Sequence, residues 1–162
     1  MADPHLPTLS VLDRLLDDTP DRLMDPPVSK TRTLDALRAA IRRDLEALLN
    51  ATRPWVLPAP HHDALACSPL GYGLRDVTSR ALSNQDERTR IRDEVEDTIR
   101  RFDPRLADIH VTLLPDDAPL STVIRLHIEG LVLMDPEPEL VRYSTAILPP
   151  GQMISVHALR DA

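Results

Sequence analysis

The chain has a single cysteine, Cys67, among its 162 residues. That excludes an internal disulfide and a four-cysteine zinc site, and one unpaired thiol fits a reducing compartment. Aromatic residues are almost as scarce: Trp55, Tyr72, Phe102 and Tyr143 are the full set, so the core has to be aliphatic and Leu-rich. Long apolar runs are missing too. Leu131-Val132-Leu133-Met134 is the longest, far short of the ~18 residues a spanning helix needs. The opening Met1-Ala2-Asp3-Pro4-His5 lacks the basic and apolar regions of a secretory signal. A cytoplasmic location without direct membrane insertion is therefore expected. Excess positive charge is absent as well: 19 Lys and Arg face 26 Asp and Glu, a formal charge of −7. Phosphate binding needs a basic surface, so nucleic acid is not an expected partner on charge grounds.

Specific chemistry is equally thin. Gly71-Tyr72-Gly73 lacks the third glycine and the preceding strand of a phosphate-binding loop. No nucleophile-elbow pattern surrounds Cys67 or any serine, and Cys67 is expected to be a buried, inert thiol. His61, His62 and Asp63 have no spaced second pair of ligands, so no metal site is expected and a solvated loop is the plainer reading. A glycosidase needs two carboxylates at a fixed separation, one with a raised pKa. The acids here read as solvated helix-face residues, with only Asp103 and Glu129 near core elements. No catalytic residue and no cofactor is assigned.

What is present is a change of period. Proline, at 16 residues, concentrates near the ends and in the loops. Residues 1–32 read as an extension with one short helical island, in which Ser10 caps a stripe of Leu12, Leu15 and Leu16. An island that short persists only when docked, on its own domain or on a partner. Thr33 to Asn50 is a helix, with Leu34, Leu37, Ile41, Leu45 and Leu48 on one face. Residues 51–75 form a long loop, and a short helix over Asp76 to Leu82 is predicted. Asn84 and Glu87 have capping-box spacing for a helix from Gln85 to Phe102. Its pairs Glu96/Arg100 and Asp97/Arg101 have favourable i,i+4 order.

After Phe102 the period becomes two. Ile109, Val111 and Leu113 alternate inward, then Thr122 to Met134, Leu140 to Leu148 and Met153 to Leu159 read as strands. Gly130 lies inside the second, where glycine often marks a bulge or a close backbone approach. The fold class is therefore α+β: N-terminal helices packed on a C-terminal antiparallel β-meander of three to four strands, with residues 33–162 as one domain. At the seam, Pro104 stops the helix. Arg105 offers a planar fork of donors, either to a partner or within its own domain.

Four stretches carry a resemblance: Ser10-Val11-Leu12-Asp13-Arg14-Leu15, Arg43-Asp44-Leu45-Glu46-Ala47-Leu48-Leu49-Asn50, Tyr72-Gly73-Leu74 with Asp76, and Ile99 through Leu106. In this order they are similar to motifs of the TssE family of type VI secretion baseplate wedge subunits. That family belongs with the phage sheath initiators once labelled "lysozyme-like". Three departures stand out. Asp103 replaces the family's Glu, one methylene longer; Arg75 replaces a loop proline; and Gly71 replaces an Asn, which would loosen that turn.

The resemblance implies a non-enzymatic baseplate component that contacts TssF and TssG, with TssK as a further candidate. It also implies a start for the sheath of TssB and TssC. A meander leaves strand edges that accept a neighbour's strand, and the last two strands are the expected place. The docking residues this implies are Asp103, Pro104 and Arg105 at the seam, Tyr143 and Ile147 on the sheet, and Leu12 and Leu15 on the N-terminal island. The alternative, taken from the old label, is a muramidase-like peptidoglycan hydrolase.

Overall fold

The computed structural model describes residues 13, 15, 21, 30–54, 63–77, 80, 82–115, 123–134, 137–147 and 153–159. Helix α1 spans Lys30–Asn50, starting about a turn before Thr33, and α2 is the single turn Asp63–Ala66. A 3-10 turn, Pro69–Gly71, follows, and then α3, Gln85–Phe102. The strands are β1 (Leu106–Leu113), β2 (Ile124–Val132), β3 (Glu139–Ile147) and β4 (Val156–Ala158). They form one antiparallel sheet in the order β1-β2-β3-β4. The α+β meander expected from the change of period is therefore present.

The core forms between the helices and one face of the sheet. Leu37, Ile41, Leu45 and Leu48 of α1 and Ile91, Val95 and Ile99 of α3 are all buried. They meet Ile109 and Val111 of β1, Leu126 and Ile128 of β2, and Val141, Tyr143 and Ile147 of β3 in one cluster. Alternate residues of β2 and β3 are fully buried while their neighbours stay partly exposed. A sheet covered on one face shows that pattern. Each such aliphatic side chain contributes about 1.5–3 kcal/mol, so the stripes outweigh any single polar contact.

Helix α3 starts where its cap demands. The Asn84 side chain accepts from the Asp86 N–H at 2.9 Å. Glu87 turns toward Arg80 (3.5 Å) and Arg90 (3.3 Å). Glu96 and Arg100 pair at 2.5 Å as expected, but Asp97 pairs with Arg100 rather than with Arg101. The described residues of the 76–82 stretch form no helix. The Gly130 expectation resolves as a bulge on the facing strand. Ala107 pairs with Leu131 and His110 with Glu129, so Asp108 and Ile109 together oppose Gly130. Asp108 sits at φ 46°, the left-handed conformation such bulges use.

Two glycines are required by close approach. Gly73 has φ +94°, and a Cβ there would lie 2.2 Å from the Ala51 carbonyl oxygen. That approach lets Leu74 pair with Ala51 and Arg53 through bonds of 2.9 and 2.8 Å. A Cβ on Gly71 would lie 2.0 Å from the Ala66 carbonyl oxygen. Glycine at 71 therefore tightens the turn against α2, where the sequence suggested loosening.

Candidate functional site

The seam is built by chain stiffness and one arginine. Asp103 closes α3, donating its N–H to the Ile99 carbonyl at 2.9 Å, and Pro104 prevents another turn. The Asp103 side chain is buried, 4% exposed. Its Oδ1 accepts from the Arg105 N–H (3.2 Å) and Nε (2.8 Å), and its Oδ2 accepts from Nη2 (2.8 Å). The shorter acid at 103 thus reaches the guanidinium in a two-pronged pairing. Arg105 Nη2 also donates to Asp44 Oδ2 of α1 at 2.8 Å. Of the two outcomes open for Arg105, the structure has the internal one: its fork ties the end of α3 and the start of β1 to α1.

The network runs further. Arg43 Nη2 donates to Asp44 Oδ1 (3.1 Å) and to Asp13 Oδ1 (2.6 Å). Hydrogen bonds from Asp13 and then Asp44 hold the Arg43 guanidinium above its ordinary pKa. The N-terminal island therefore touches α1 through Asp13, while Leu15 is 76% exposed. Leu12 lies outside the described residues.

Beside this network is a cavity of about 310 Å³ walled by Asp44, Leu45, Leu48, Tyr72, Phe102, Asp103, Pro104 and Arg105. Tyr72 stands edge-on to Phe102, centroids 5.3 Å apart. Burial, then the Asp44 and Asp103 charges, push its phenol pKa up. Pro104 is exposed, and Arg105 Nη1 is buried without a hydrogen-bond partner.

The other expected positions are dispersed. Tyr143 and Ile147 are each 1% exposed, on the core face of β3. Tyr143 donates its hydroxyl to the Arg38 carbonyl at 3.2 Å, and burial pushes its pKa up to about 12. Their side chains set the register from inside, and β3 itself is an interior strand between β2 and β4. Cys67 is exposed, not buried, because it follows a one-turn helix at the surface. His61 and His62 lie outside the described residues, among which no cluster of metal ligands occurs.

Sequence reasoning missed Glu94, which it placed on a solvated face. Its side chain is 9% exposed and accepts from Arg53 Nη2 (2.7 Å), Arg75 N–H (3.0 Å), Arg75 Nε (3.1 Å) and Arg80 Nη2 (2.8 Å). Burial raises the Glu94 carboxyl pKa, but the Arg75 and Arg80 donors outweigh it and hold it at about 2. Arg75, where the family has proline, supplies a backbone N–H that proline lacks. The position of Glu94 beside Val95 on α3 was the only available signal, and a carboxylate there reads as exposed until its arginines are placed in space.

Helix side chains occupy part of each sheet edge. Just past β4, Leu159 donates to Arg142, so in this antiparallel register the backbone groups of Val156 face away from β3; Ile154 lies two residues before the strand. Asn50 takes both groups of Ile154: Nδ2 donates to its carbonyl and Oδ1 accepts from its N–H, each at 2.8 Å. Glu46 Oε2 accepts from the Val156 N–H (3.4 Å), and Arg42 Nη1 donates to the Val156 carbonyl (3.3 Å). On β1, Glu96 Oε2 accepts from the Val111 N–H at 3.1 Å. Burial raises the Glu96 carboxyl pKa, but the Val111 N–H and Arg100 outweigh it and lower it.

The two acids expected near core elements are both engaged by arginines. Asp103 is consumed by Arg105, and Glu129 accepts from Arg142 Nε at 2.9 Å. Among the described residues, the carboxyls with displaced pKa values, Glu94 and Glu96, are displaced downward, whereas a general acid needs the opposite. Among the described residues no helix is long and apolar enough to cross a membrane. The chain matches the family described as baseplate wedge protein gp25 over residues 35–137, and it belongs to that family. It is a structural component of a baseplate. No curated protein matches it.

Proposed function

We propose that this chain is a non-enzymatic wedge subunit of the TssE type, in a contractile secretion machine, acting at the cytoplasmic face of the membrane. It docks on TssF and TssG, with TssK nearby, and starts the TssB–TssC sheath by strand addition. The observation that carries this reading is the family match, which runs from α1 through β2 to residue 137 and includes the whole seam. In docking, Arg105 and Asp103 are positioning residues: their pairing fixes the chain on either side of the exposed Pro104. Tyr143 and Ile147 fix the register of the sheet that is extended, and Leu12 with Leu15 adds an N-terminal contact in the assembly. Residues 33–162 act as the wedge domain and 1–32 as its extension.

The test is a pull-down of the full chain from cells that assemble such a machine, with bound proteins identified by mass spectrometry. Recovery of TssF, TssG and sheath subunits is expected. Recovery of none of them from a folded bait refutes the assignment.

A further inference from the structure

Helix α1 does for Val156 of β4, and for Ile154 just before it, what a fifth strand would do. Arg42, Glu46 and Asn50 recur every four residues along one side of the helix, a step of ~6 Å. Outward-facing backbone groups of a strand recur every two residues, a step of ~6.6–6.8 Å. The near match lets Asn50 serve Ile154 while Glu46 and Arg42 serve Val156. Asn50 offers one amide donor and one amide acceptor to a single residue, the same pair that a neighbouring strand presents.

We propose that this row is a displaceable surrogate strand, which keeps the β4 edge closed until an extended segment of a partner takes its place. The inference rests on the strand-addition reading above and says how that edge is guarded. Three observations favour release over a permanent seal. The bonds to Val156, at 3.3 and 3.4 Å, are the long ones of the set. Each side chain has a second partner on α1 to fall back on: Arg42 donates to Glu46 at 3.1 Å, and Asn50 Nδ2 donates to the Glu46 carbonyl at 2.7 Å. Displacement therefore leaves the donors of Arg42 and Asn50 with partners on α1, and only Asn50 Oδ1, on a half-buried residue, needs a new one, which water or the incoming chain supplies. Finally, Arg42 and Glu46 are 42% and 32% exposed, so an incoming chain reaches them from solvent. An unguarded edge would pair with any extended chain, including another copy.

The experiment uses the full chain, wild type and the double variant Glu46→Ala/Asn50→Ala. Amide hydrogen exchange is read at Ile154 and Val156, with Ile128 and Tyr143 as core controls. The variant should exchange at least tenfold faster at the two edge amides and unchanged at the controls. It should also self-associate in light scattering where the wild type stays monomeric. Unchanged edge exchange, or a monomeric variant with fast edge exchange, overturns the guarding role. Purified TssB–TssC subunits then probe displacement: on binding, the Asn50 side-chain amide resonances should shift while the Ile154 amide becomes more protected. Binding that leaves both unchanged overturns displacement. If the subunits do not bind the wild type at all, strand addition at this edge is refuted, and the exchange and scattering results still decide the guarding role.

Discussion

Replacing Arg105 by alanine tests whether the seam is held from inside. The substitution removes the two side-chain bonds to Asp103 and the one to Asp44, each 2.8 Å. Asp103 keeps only the backbone N–H of residue 105, at 3.2 Å, and stays buried with most of its charge unpaired. Removing one partner of a buried pair costs about 3–5 kcal/mol. The Arg105 side chain is 19% exposed and Asp44 31%, so the lower end applies, about 3 kcal/mol. At ~2–4 °C per kcal/mol for a chain of this size, thermal melts followed by circular dichroism at pH 7 should fall by ~6–12 °C. Adding Asp103→Asn removes the orphaned charge and should recover part of that loss, since a neutral amide is cheaper to leave buried. An Arg105→Ala protein that melts within ~2 °C of wild type would show that the guanidinium is free, and the internal-clamp account would be wrong.

Two further substitutions address the loop region. Glu94→Gln should flatten the acid limb of the stability curve. A carboxyl held at about 2 instead of 4.5 contributes about 3 kcal/mol, fully present above pH 4.5 and lost as pH falls toward 2. Urea titrations across that window should show wild type and variant converging at the acid end, and a constant gap would sink the assignment. Gly73→Ala should cost at least about 2 kcal/mol, because the new Cβ meets the Ala51 carbonyl at a left-handed φ. A melt unchanged from wild type would show that the 51–53 and 74 pairing is not needed.

Periodicity made the architecture legible. Leucines and isoleucines at three and four residues placed α1 and α3, and alternation placed the four strands, because burial on one face writes its period into the chain. Caps and prolines set the ends of α3 to the residue. The 76–82 helix was misjudged, since a weak local propensity yields to packing. Cys67 was misplaced because thiol chemistry says little about which side of a surface turn a residue occupies. At the seam, Pro104 announced a stiff exit, but the partners of Arg105 were invisible: Asp44 lies 61 residues away in the chain.

By itself the sequence determined the helix-then-meander order, the aliphatic core, the place of the seam and, through its ordered motifs, the family. Tertiary structure alone decided where the charges go. Glu94 collects three arginines from the loop regions, Arg105 locks onto α1, and Arg42, Glu46 and Asn50 bond along part of an edge that alternation alone leaves open. The division has a physical cause. Apolar burial is non-directional and needs only a face, which one dimension can encode. A hydrogen bond needs a partner at a set distance and angle, and that partner exists only once distant segments have met.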